Sequence, residues 1–144
     1  MSDLPLHKSP PFIMHFPLLF LALAAYNIAM VTGHAFNVPG TDVILHVQLI
    51  SGAIWDLGWN ETFMIGGLCL LFIEIMKSTR AGSTATLEHV LSMFVFICFL
   101  IEFLIVRGAG TNTFLILGLM SLIDVMAGYA ISIAVARKEM NITG

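Results

Sequence analysis

Residues 113–136 read TFLILGLMSLIDVMAGYAISIAVA, and they decide the class of the whole chain. No Lys or Arg interrupts the run until Arg137 and Lys138 close it. A helix over this stretch extends about 36 Å, enough to cross a hydrocarbon layer of roughly 30 Å with some tilt. Asp124, at the midpoint, is its single Asp, Glu, Lys, Arg or His. A carboxylate at that depth costs at least about 2.5–3.5 kcal/mol on insertion scales, so it demands a partner, water or a proton.

Working outward, three further apolar runs occupy 12–32, 61–76 and 87–106. Of the 144 residues, 58% are hydrophobic and 10% charged, with mean hydropathy +0.96. A soluble domain carries about 25% charged residues, so the balance belongs to an integral membrane protein. The sequence predicts an all-α membrane protein, a single domain over 1–144 with four transmembrane helices. The first run follows Lys8 and contains Ala22-Leu23-Ala24, which imitates a secretory signal. It is longer than a signal core and is read as a retained span. Pro17 falls in its first turns, where a helix tolerates proline best.

The segment 33–60 has no Lys or Arg. After the turn signal Asn37-Val38-Pro39-Gly40 comes DVILHVQLISGAIWDLGW, rich in β-branched and aromatic residues. Ser51-Gly52 reads as a two-residue turn joining strands 43–50 and 53–59, an extracytoplasmic β-hairpin between the first two spans. That register pairs Gln48 with Trp55, His46 with Leu57 and Ile44 with Trp59. Both tryptophans then share a face with Ile44, His46 and Gln48, at the depth where Trp suits the membrane–water interface. The rival is an interfacial amphipathic helix over 41–57, which an internal Ser-Gly weakens. A hairpin alone is marginal in water, so it must lie on the bundle or pair with a neighbouring subunit. A homo-oligomer, or a subunit of a membrane complex, is therefore expected.

Lys8, Lys77, Arg80, Arg137 and Lys138 fall on one side of a four-span arrangement and Arg107 on the other. The positive-inside bias puts both termini in the cytoplasm and the hairpin outside; together with compactness and the absence of organelle signals it leads to the expectation of a bacterial inner membrane. A net charge of −3 provides no basic field for nucleic acid, leaving the lipid bilayer and protein as partners. Asn60 is expected to cap the second helix, with Glu61 well placed against its N-terminus.

Chemistry has few places to reside. Asp124 shares a stripe with Ser121, Gly128 and Ser132, and Gly118 is close by. Read structurally, Gly66, Gly67, Gly118 and Gly128 are helix-packing sites, and Asp124 is bonded to Ser121, Asn27 or a backbone carbonyl. Read functionally, Glu102, Asp124 and Glu74 stand at outer, middle and inner depths with Ser121 alongside, an ion or proton path. For the two glutamates the plainer account, pairing of Glu102 with Arg107 and Glu74 with Lys77, is favoured. His15 and His89 open the first and third spans and form a candidate bis-imidazole pair for a b-type haem; His34 and His46 imitate a second site. Cys69 and Cys98 lie inside apolar runs and read as small hydrophobes. No metal site is expected. Asp42, His46, Asp56 and Glu61 supply no nucleophile–base pair, so no catalytic residue is assigned.

The sequence thus predicts a small oligomeric, non-enzymatic accessory, scaffold or small-pore component, with His46, Gln48, Ser51, Gly52, Trp55 and Trp59 forming its interface hairpin. A proton or cation channel using Asp124 is the alternative. A haem protein using His15 and His89 is the third reading.

Overall fold

The computed structural model describes residues 16–34, 36, 43–79 and 85–142. Four helices carry it: Leu19–Val31 (α1), Trp59–Ser78 (α2), Ala85–Ile105 (α3) and Asn112–Ile142 (α4). Between α1 and α2 stands an antiparallel hairpin of Val43–Gln48 (β1) and Ile54–Gly58 (β2). A 3-10 turn, Arg107–Ala109, links α3 to α4. The helix α4 packs between α2 and α3, and α1 lies across all three.

Among the described residues three helices are long and apolar enough to cross a membrane: α2, α3 from Leu87–Ile105, and α4. Their outward faces carry Ile65, Leu68 and Phe72, then Val90, Phe94 and Leu104, then Leu119, Ile123 and Met126, all exposed. Their buried faces include Glu74, Ser92, Ser121 and Asp124. That is the reverse of a water-soluble bundle and is compatible with a membrane location. With its 13 residues, α1 reaches only about 20 Å. The expected span over 12–32 needs residues 12–15, which lie outside the described residues.

Several boundaries differ from the sequence reading. The helix α4 runs on through Arg137 and Lys138 to Ile142. Those charges mark where a span meets water but are good helix formers, and no Gly or Pro follows until Gly144. The helix α1 starts after Pro17, whose carbonyl accepts the Phe20 N–H at 3.1 Å. It ends at a Schellman motif: Gly33 (φ 89°) donates to Met30 O at 3.2 Å and His34 to Ala29 O at 3.1 Å.

Asn60 is not the cap of α2. The strand β2 runs directly into the helix through Gly58, which is extended (φ −104°, ψ −174°). The Glu61 carboxylate takes the Gly58 N–H at 2.9 Å, and the Thr62 hydroxyl donates to Gly58 O at 2.8 Å. Asn60 lies inside the first turn and accepts the Thr113 hydroxyl at 2.9 Å.

The hairpin is present, but its register is one residue from the expected one. Leu49 N–H bonds Ala53 O at 2.9 Å and Gly52 N–H bonds Leu49 O at 2.8 Å. The loop is therefore Ile50-Ser51-Gly52, with Gly52 at φ 85°. This is the three-residue loop whose last member needs the left-handed conformation that glycine allows. Trp55 consequently pairs with Val47, His46 with Asp56 and Gln48 with Ile54. A one-residue slip inverts the faces. Trp55 therefore leaves the face of His46 and Gln48, and Trp59 leaves the strand to open α2.

At the hairpin end the bundle closes on an aromatic cluster. Tyr26 stacks on Phe36 with centroids 4.2 Å apart and packs on Phe63 and Phe114; Phe99 joins Phe114 at 5.2 Å. The Tyr26 hydroxyl meets Thr111 Oγ1 at 2.6 Å, and the same oxygen accepts Phe114 N–H at 3.1 Å, capping α4.

Candidate functional site

Polar side chains gather at two levels of the bundle. Toward the hairpin end, Asn27 of α1 donates to Glu102 Oε2 at 2.7 Å and to Leu23 O at 3.1 Å. The expected partner of Glu102 was Arg107, which is instead exposed in the connecting turn. Asn27 sits directly opposite on the neighbouring helix, whereas Arg107 lies beyond the end of α3. The alternative use of Asn27, as a partner of Asp124, is overturned by the same bond.

The second level lies toward the other end. Glu74 is 2% exposed. It bonds Lys77 at 2.7 Å, as the i,i+3 spacing predicts, and also accepts the Leu18 backbone N–H at 2.7 Å. Lys77 in turn donates to Phe16 O at 3.2 Å. A carboxylate on α2 thereby satisfies a free N–H at the start of α1, which has no side-chain cap of its own.

Asp124, 3% exposed, faces the same junction from α4. Ser92 of α3, Glu74 and Lys77 all lie close enough to act on it. Ser121, 1% exposed and one turn earlier on the same face, has no hydrogen-bond partner for its hydroxyl among the described residues. The structure thus brings together Glu74, Asp124 and Ser121. Glu102 stands ten residues beyond Ser92 along α3, about 15 Å. Buried Val95, Phe99, Phe114 and Leu117 fill the interval.

The glycines divide. A Cβ on Gly67 would strike Leu117 and one on Gly128 would meet His89 Nδ1; on Gly118 it would touch Phe99 Cβ at 3.6 Å. A Cβ on Gly66 would meet nothing within 4 Å. Gly66 instead borders an apolar groove of about 280 Å³ between α1 and α2, lined also by Ala22, Ala25 and Phe63.

His89 lies over Gly128 with Nε2 on Ser132 Oγ. Its proposed haem partner His15 is outside the described residues. His34 bonds Thr32 Oγ1 at 3.1 Å and packs on Trp59, while His46 bonds Asp56 across the hairpin at 2.6 Å. Among the described residues no group of three or more His, Cys, Asp or Glu is placed to hold a metal ion.

Sequence reasoning missed Ser92, the Leu18–Glu74 bond and the His46–Asp56 pair. Ser92 carried a signal, as the single hydroxyl inside the apolar run 90–106. The other two depend on tertiary placement and on a strand register. Compared with family models, with curated proteins and with solved structures, the chain matches none.

Proposed function

We propose that this chain is a four-span inner-membrane protein that acts by assembly rather than catalysis, an accessory or scaffold subunit that self-associates through its outer hairpin. The observation that supports this best is the hairpin surface. Ile44, Leu45, Leu49, Ile50, Ile54 and Trp55 are all exposed, on both faces and at the tip. Contiguous exposed apolar surface marks an interaction site, and an uncovered two-stranded hairpin is marginal. A lipid interface covers one face; a protein neighbour is needed for the other. Lys77, Arg137 and Lys138 lie at the end opposite Arg107 and the hairpin, the distribution expected of an inner and an outer side.

The test is the double variant Ile50→Asp/Ile54→Lys, sized in mild detergent and crosslinked in native membranes. The expected result is a wild-type oligomer and a variant monomer of unchanged helix content. A wild type that is monomeric under both conditions overturns the proposal.

The second reading is a proton or cation path through Asp124. The shared level of Glu74 and Asp124 favours it. The apolar layer between Asp124 and Glu102 counts against a continuous path. Flux in liposomes that disappears in Asp124→Asn while the oligomer persists would establish it.

A further inference from the structure

We propose that the junction of Asp124, Ser121 and Ser92 is an occluded binding site for one small monovalent cation of sodium size. Three observations converge on it. Asp124 is only 3% exposed, and among the charged groups that act on it Glu74 already has its counter-charge in Lys77 at 2.7 Å. An ionised Asp124 therefore leaves one negative charge over, inside a bundle whose outer faces are apolar. The hydroxyl of Ser121 is 1% exposed and makes no hydrogen bond among the described residues, although it lies one turn from Asp124 on the same face. A buried hydroxyl without a partner is rare, and each instance calls for an occupant or a reason. Ser92, on the facing helix α3, brings a further hydroxyl to the neighbourhood of Asp124.

The donors are one carboxylate and two hydroxyls, hard oxygen ligands that suit alkali and alkaline-earth ions rather than soft metals. Divalent ions are held by more carboxylates or by several retained waters. One uncompensated negative charge matches a single positive one. The site is closed toward the hairpin end by Val95, Phe99, Phe114 and Leu117, all buried. Toward the other end the bond between His89 and Ser132 joins α3 to α4. This role does not depend on the hairpin or on oligomerisation.

The experiment is thermal unfolding of the purified full-length protein in detergent, titrated with sodium chloride against choline chloride at constant pH and ionic strength. Wild type, Ser121→Ala and Asp124→Asn are compared. The expected result is a saturable rise in melting temperature with sodium, half-saturation displaced at least about tenfold in Ser121→Ala, and no sodium response in Asp124→Asn. Ser121→Ala removes only one unbonded oxygen and decides the question if the Asp124 variant does not fold. A wild type that melts identically in both salts, or a Ser121→Ala protein with the full wild-type response, overturns the site.

Discussion

Leu18 N–H and Glu74 Oε2 are 2.7 Å apart, so the start of one helix is capped by a carboxylate from the end of its neighbour. An unmet N–H at a helix N-terminus carries partial positive charge, and Glu74 answers it while holding Lys77. Glu74→Ala is expected to lower stability by roughly 1–3 kcal/mol, the cost of leaving a buried donor unsatisfied. Glu74→Gln, which keeps an acceptor, is expected to lose less. Unfolding in mixed micelles measures both; an alanine variant as stable as wild type would remove the cap from the account.

The glycines give a paired prediction. Gly66→Ala meets open space in the monomer and is expected to stabilise the helix by about 0.5–1 kcal/mol. Gly128→Ala places a methyl on the His89 ring and must push it off Ser132, costing about 1–3 kcal/mol. Melting temperatures of the two variants should move in opposite directions. A destabilised Gly66→Ala would instead place a neighbouring subunit against that groove.

The hairpin register can be read by disulfide trapping in a Cys69→Ala/Cys98→Ala background. Val47→Cys with Trp55→Cys joins residues opposite each other and should oxidise readily. Gln48→Cys with Trp55→Cys puts the sulfurs on opposite faces and should remain reduced. The reverse outcome would restore the two-residue turn.

Asn27→Leu leaves the Glu102 carboxylate without its amide, and a loss of roughly 1–3 kcal/mol is expected. Adding Glu102→Leu should recover most of it, since a matched apolar pair has nothing left unbonded. Arg107→Ala should change stability by less than about 0.5 kcal/mol. A large effect of Arg107 on its own would show that Glu102 is paired along its own helix.

What could be read from the sequence follows from how local each signal is. The apolar runs located α2, α3 and α4, and β-branched residues around Ser51-Gly52 located the hairpin. The Glu74–Lys77 spacing gave its ion pair, because i,i+3 neighbours meet on any helix. The register escaped because Ile50 is an apolar residue in a turn, and Ser-Gly serves equally as a two-residue loop or the end of a three-residue one. Arg107 was the nearer cation in sequence, yet Asn27 was nearer in space. The full length of α4 escaped because charge marks a change of surroundings and not the end of a helix. At the polar junction Asp124 and Ser121 were visible as one helical stripe. Ser92 and the position of Glu74 opposite that stripe required the fold.

The joint at Gly58 has a mechanical consequence. Glu61 and Thr62 both bond to that residue, so the passage from β2 into α2 is pinned through both the N–H and the carbonyl of Gly58. The far end of α2 grips the start of α1 through Glu74 and Lys77. A pull on the hairpin would therefore bear on the opposite end of the bundle, where Glu74 and Asp124 lie together.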